Sequence, residues 1–351
     1  MTTPFHATKQ AISLAVFGKH PGWDDHIEDL GIETPRLIAI RQAFYVEGIG
    51  GNVESGAWDK LEQEHKRIPL HHAVVWPGPD SLVVGRLWAS RDGKGRTKYP
   101  MVAFIECAGF PWSWVIQRLF PLLEVFEGRC RAALSAPEIR NIISGVRAEL
   151  KNLAAAPVTG EDALATWKKP SELPAFLADC AALGPAAAGL HRILYKIYRE
   201  LPAYAPPGAA AATKEQRRPN HLRVPRCADS LERTAYAWTL FMLNQMDPST
   251  PLLLLLPIDE TWMDMLVGTP AVSQLYCLQA SSAALPLTSD IPYKWEPSFD
   301  SQVEKVLAAS RRQDAGGLSI FGPAKAGPGG SGGLRQRINQ GWKILTDWKG
   351  S

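Results

Sequence analysis

The sequence predicts an α/β fold: a mostly antiparallel sheet flanked by helices, with a helical segment and a second, smaller α/β portion after it. Three observations carry that expectation. The first third runs from one strand pattern through two amphipathic helices to three strand patterns in succession, an order that suits a mixed α/β domain. The middle of the chain repeats apolar residues at the helical period of about 3.6. A second group of strand patterns opens at Leu252. The composition agrees, since 46% hydrophobic and 21% charged residues are the shares of a soluble globular protein.

Ile12, Leu14 and Val16 alternate with small residues, so a strand with one buried face leads the chain. Gly18, Pro21 and Gly22 then break the pattern into a tight turn. Residues 34–45 form an amphipathic helix with Pro35 in its first turn, which Gly48, Gly50 and Gly51 are expected to end. Residues 55–66 make a second, short helix with Trp58 and Leu61 on one face. Residues 73–76 and 82–88 are strands around the turn Pro77-Gly78-Pro79-Asp80, and 99–106 is a near-continuous apolar run that fits a buried strand.

A helix follows from Trp112, with Pro121 as a disturbance in its interior. Ser135 and Glu138 read as a capping box with Pro137 in the first turn, and Ile139, Ile142, Ile143, Val146 and Leu150 mark the buried stripe. Residues 186–201 carry Leu190, Ile193, Leu194 and Ile197 on one side of a further helix. Residues 229–244 are another, capped by Asp229 with Glu232. Strands are expected at 252–257, 263–267 and 274–278, and the sequence leaves open whether they join the first sheet.

Composition divides the chain into an α/β domain with a helical extension (1–204), a linker or long loop (205–222), a C-terminal α/β portion (223–310), a flexible Gly/Pro-rich segment (311–333) and a basic amphipathic tail helix (334–351). In the tail, Leu334, Ile338, Trp342, Leu345 and Trp348 form a stripe beside Arg335, Arg337, Lys343 and Lys349. Such a helix suits a partner groove or a peripheral membrane surface, or else packs back on its own domain.

Several function classes are disfavoured. A net charge of +3, from 38 basic and 35 acidic residues, is too balanced to argue for nucleic acid. The N-terminus shows no secretory signal, and the longest apolar run is far short of the ~20 residues of a spanning helix. Five scattered cysteines without a C-x-x-C pair suit a reducing cytoplasm better than a disulfide framework or a zinc site.

Two stretches gather chemistry. The first, VFGKHPGWDDH from Val16 to His26, crowds Lys19, His20, Asp24, Asp25 and His26 into the turn after the leading strand. The second, SRDGKGRTKYPM from Ser90 to Met101, combines Ser90 and Asp92, which favour side-chain-to-backbone turns, with Gly93 and Gly95, which permit positive φ. Arg96 offers a rigid fork for a carboxylate, and Asp24 or Asp25 is the expected partner. Ordinary surface charge on two hairpin loops is the plain alternative. A metal- or phosphate-dependent enzyme using Lys19, Asp24, Asp25, His26 and Arg96 is another, although D-D-H is too compact for one metal and none of the strong catalytic signatures occurs. His71 and His72 adjoin a strand, where neighbours face opposite ways, so they make a poor bidentate pair; His191 reads as a core or boundary residue. No cofactor and no metal ligand set is expected.

These two stretches resemble the N-terminal domain of the TagF (ImpM) family, accessory proteins of bacterial type VI secretion, whose motifs read FGK-x-P-x-x-x-D and S-x-D-x-x-G-R-x-F-P-L. Phe17, Gly18, Lys19, Pro21 and Asp25 match the first, and Ser90, Asp92, Gly95, Arg96, Tyr99 and Pro100 match the second. One extra residue lies between Arg96 and Tyr99, Met101 replaces a leucine, and Trp23-Asp24-Asp25 stands where the family usually has a basic residue, glycine and aspartate. The resemblance covers the first third of the chain. It implies a non-enzymatic, cytoplasmic regulator that restrains the secretion machine by contact with a scaffold protein bearing a forkhead-associated domain. It implies no catalytic residues, so the motif residues are expected to be structural or interfacial.

Overall fold

Strands that are apolar on both faces need cover on both sides, and the architecture follows from that requirement. The structure, a computed structural model, describes residues 10–63, 65–156, 188–200, 220–226, 230–246, 250–301 and 303. Its strands are β1 (Ala11–Lys19), β2 (His26–Leu30), β3 (His71–Pro77), β4 (Ser81–Trp88), β5 (Met101–Ala108), β6 (Asn220–Pro225), β7 (Leu252–Pro257) and β8 (Trp262–Val267). They form one 8-stranded sheet in the order β2-β1-β5-β4-β3-β7-β8-β6, with every pairing antiparallel. The C-terminal strands therefore extend the first sheet, through Val74 of β3 opposite Leu255 of β7.

One face carries Val16, Ile105, Val84, Val75, Leu254 and Met265. It is covered by α4 (Trp112–Ala132), α5 (Ala136–Ala155), α6 (Ala188–Glu200) and α7 (Leu231–Gln245). The other face carries Phe17, Phe104, Val83, Val74, Leu255 and Leu266. Its cover is α1 (Pro35–Ile40), a π-helical segment (Arg41–Ile49), α2 (Gly50–Glu54), α3 (Ala57–Gln63) and a 3₁₀ segment (Val272–Leu278). Period-2 alternation thus feeds two separate cores.

The helices with the clearest stripes lie where the sequence places them. Ser135 Oγ accepts from Glu138 N, and Glu138 returns a bond to Ser135 N at 3.0 Å, which completes the capping box of α5. Leu190, Ile193, Leu194 and Ile197 of α6 are all buried. Among the described residues no helix is long and apolar enough to cross a membrane.

Five expectations are corrected. The helical path from Pro35 does not end at the glycines but runs on to Glu54. A Cβ at Gly48 would lie 2.0 Å from Leu275 Cδ1, and one at Gly51 2.6 Å from Val272 Cγ1, so these glycines serve close packing against the 3₁₀ segment. Residues 274–278 belong to that 3₁₀ segment and not to a strand; the Gln274 side chain accepts from Ala271 N (2.9 Å) and fixes its start. The cap of α7 is Ser230, whose Oγ accepts from Arg233 N at 3.1 Å. The edge strands β2 and β6 were not expected, and β6 begins at Asn220, inside the proposed linker. Finally, α4 passes through Pro121 unbroken, held on both sides by the buried Leu119, Phe120, Leu123 and Phe126. The rest of the linker, the whole Gly/Pro-rich segment and the whole tail helix lie outside the described residues.

Candidate functional site

Sheet register brings the two motif stretches together. Met101 at the start of β5 is paired with Gly18 of β1 on one side and with Trp88 of β4 on the other. The loop after β1 and the loop between β4 and β5 therefore leave the sheet at the same end. Gly18 has φ +107°, and a Cβ there would lie 2.1 Å from Pro100 O, so only glycine lets the strands close at this point. Lys19 N then donates to Pro100 O (3.1 Å), and Tyr45 OH donates to the same carbonyl (3.3 Å).

Asp92 is the centre of the contact. Its Oδ1 accepts from Lys94 N (3.0 Å) and Arg96 N (2.9 Å), the side-chain-to-backbone turn expected of this loop. Its Oδ2 accepts from Lys19 Nζ (2.6 Å) and Arg96 Nε (2.7 Å). Lys19 Nζ also reaches Asp25 Oδ1 at 2.8 Å, and Arg96 reaches the same oxygen at 3.1 Å. Two cations and two carboxylates alternate, so each charge faces opposite ones. Burial works to raise the Asp92 pKa, but the bonds from Lys19 and Arg96 outweigh it and hold the group well below the usual carboxylate range. Asp25 is lowered too, chiefly by its bond to Lys19.

The expected Arg96–carboxylate contact is present, with Asp25 as its first-turn partner. Asp24 gives Arg96 its backbone carbonyl (2.8 Å) instead of its carboxylate. Gly95 has φ +78° as its loop requires, whereas Gly93 does not adopt positive φ and serves close approach, its N donating to Trp23 O at 2.6 Å. Tyr99 sets its ring against His26 (5.1 Å) and Tyr45 (5.8 Å). Ser90 and Pro21 stand apart from the ion cluster and line a neighbouring cleft. A phosphate group would have to compete with both carboxylates for Lys19 and Arg96, which weakens the support for an enzyme at these loops.

That cleft, of about 340 Å³, lies between the two loops and the C-terminal end of α4. His20 forms its inner wall. Nδ1 of His20 accepts from Gly22 N (3.0 Å), which makes Nε2 the donor to Cys130 O (3.1 Å). Burial lowers the His20 pKa and favours this neutral form.

Two further polar clusters had no signal strong enough in the sequence. On the α4 face, Glu127 is buried and accepts from Arg86 Nε, from Arg131 Nε (2.6 Å) and from His71, whose Nδ1 meets Asp259 Oδ2 at 2.8 Å. Burial works to raise the Glu127 pKa, but His71 and the two arginines bring it down to about 2. The same contacts raise that of His71, led by its bond to Glu127. His72 points to the opposite face, as adjacent strand residues must, and burial pushes its pKa down to about 3.

On that opposite face, Arg223 of β6 grips Asp264 of β8 with both Nε (2.8 Å) and Nη2 (2.9 Å), while His221 Nε2 approaches Oδ1 at 2.7 Å. Arg223 also donates to the carbonyls of Ala280, Ser281, Leu285 and Cys277, which binds the 3₁₀ region to the sheet. His221, Asp264 and Cys277 place one ligand-type atom each within 4.8 Å of one another, the one such group among the described residues. The guanidinium already occupies both oxygens of Asp264, so this is a structural arginine site in its chemistry. Cys277 is thus close to a histidine and an acid despite the scattered spacing of the cysteines. His191 sits at the boundary, 3.8 Å from Asp300. Comparisons with protein-family models, with curated proteins and with solved structures return no match.

Proposed function

We propose that this chain is a non-enzymatic accessory protein of a bacterial type VI secretion system, acting in the cytoplasm by contact with a scaffold protein that bears a forkhead-associated domain, and so restraining assembly or firing. The resemblance of its two motif stretches to the TagF family supports the reading. The observation that carries it is the mutual use of the motif charges. Lys19 and Arg96 both bind Asp92 and Asp25, so the motifs clasp two loops to each other rather than presenting an open set of reactive groups. A clasp of this kind fixes a surface for a partner, because loops on a rigid sheet carry recognition when their own backbone is held.

Titration calorimetry of the full chain with the forkhead-associated scaffold protein of the same bacterium tests it. Saturable binding is expected, together with increased secretion when the chain's gene is deleted. Absence of saturable heat between two proteins shown to be folded by circular dichroism overturns the reading.

A further inference from the structure

We propose that the cleft between the clasp and the end of α4 binds an acidic, partly apolar peptide segment of a protein partner. The proposal rests on the contact reading above and names the chemistry of that contact. Arg91 is exposed and forms no ion pair among the described residues, and it sits directly before Asp92 of the clasp, three residues beyond the end of β4 at Trp88. Arg131 gives only its Nε to Glu127, leaving the terminal nitrogens of a half-exposed fork. Glu127 is meanwhile shared with Arg86 and His71, so it does not neutralise Arg131 alone.

No carboxylate is among the residues that line the cleft. Ser90 and Thr97 line it too, and their hydroxyls make no hydrogen bond with any described residue, so they are available as donors beside the two guanidinium groups. His20 spends both ring nitrogens on Gly22 N and Cys130 O, so it adds neither an anion nor a free donor to the cleft. This arrangement suits carboxylates, which an arginine fork receives through two parallel bonds.

The rest of the lining is apolar. Pro21 and the exposed Ala89 line it together with the buried Trp88 and Cys130. A bare oxyanion would leave this surface wet, whereas a peptide that alternates acidic with apolar side chains would cover it while its carboxylates meet Arg91 and Arg131. The cleft is open along the surface, which fits an extended segment. The chain's own tail has the wrong sign for this position, since Arg335, Arg337, Lys343 and Lys349 outnumber Asp347 there.

The test is fluorescence anisotropy on the full chain with a fluorescein-labelled peptide alternating glutamate and leucine. Peptides alternating lysine with leucine and glutamate with serine serve as comparisons, and a single-stranded oligonucleotide tests for nucleic acid. Saturable binding of the glutamate–leucine peptide is expected, weakened by salt. The other three probes should bind at least about tenfold more weakly. Arg91→Glu and Thr97→Glu alter exposed side chains without partners, so both variants should melt as the wild type does while losing about tenfold or more in affinity. Equal binding of the lysine–leucine peptide or the oligonucleotide overturns the proposal. So does full displacement by inorganic phosphate with no dependence on leucine, or unchanged affinity in both variants. The two readings separate cleanly. If the scaffold protein binds Arg91→Glu as tightly as wild type, the cleft assignment fails and the scaffold reading stands. If the peptide binds at the cleft but the scaffold protein does not bind at all, the reverse holds.

Discussion

At the level of single residues, the clasp ranks its members by burial. Lys19 is 3% exposed and Asp92 1%, whereas the Arg96 side chain is about half exposed. Lys19→Met leaves the buried Asp92 with Arg96 as its one remaining cation, while Arg96→Ala leaves the inner pair intact. We expect the first substitution to lower the melting temperature clearly more than the second; equal effects in thermal denaturation would contradict the ranking. Arg96 with Asp25 was legible in the sequence because a fork and an acid on two glycine-bearing loops call for each other. The Lys19–Asp92 pair was not, because it depends on β5 lying between β1 and β4, a fact of sheet order. The Glu127 cluster was equally hidden, since Arg86, His71 and Glu127 come from three elements. It has a pH signature of its own. His71 is raised above its ordinary 6.5, so its stabilisation is complete below that pH and disappears as pH rises through the folded value. Glu127 is lowered from 4.5 to about 2, so its share is complete above 4.5 and disappears as pH falls towards 2. His72, kept neutral by burial, adds to the acid side by favouring the unfolded chain below 6.5. Melting temperature against pH should therefore fall on both flanks, and His71→Gln should flatten the alkaline flank near neutrality and, because the His71 bond leads the causes that lower Glu127, also soften part of the acid one. An unchanged alkaline flank would remove His71 from this role.

Among the elements, those with a stripe of their own were readable and those defined by a neighbour were not. The apolar period of α5 and the Ser135–Glu138 box sit within one segment, so local sequence suffices. The strand β2 is short and carries two acids, and β6 begins at a polar pair, so neither shows the alternation of a long strand. Gly48 gives the sharpest contrast between local and tertiary logic. Propensity alone says that Gly48→Ala stabilises a helical segment by about 1 kcal/mol. The structure says that the added methyl would enter Leu275 at 2.0 Å. We expect a net loss of about 1–3 kcal/mol in denaturant unfolding, the usual cost of overpacking; a gain would show that Leu275 moves aside freely.

Across the whole molecule, the sheet is joined at a single seam. Four residue pairs link β3 to β7, and Leu254 lies opposite both Val75 there and Met265 of β8. Leu254→Ala should cost about 2–5 kcal/mol. If both halves of the sheet share one cooperative transition, tryptophan fluorescence and far-ultraviolet circular dichroism will shift together; separate transitions would show that the seam is weak. The α/β class and its antiparallel bias were legible from strand order, but the seam was not, because nothing local in Val74 names Leu255 as its neighbour. That seam also sets a timetable for synthesis. A ribosome releases β1 to β5 first, and these strands can pair among themselves while β7 is still unmade. Until Leu255 emerges, β3 presents an open edge whose Val74 and Val75 are apolar on both sides, the kind of surface that recruits strands from other chains. The growing chain is therefore most exposed to aggregation during translation of the stretch between β5 and β7, and slower decoding of that stretch would lengthen the danger.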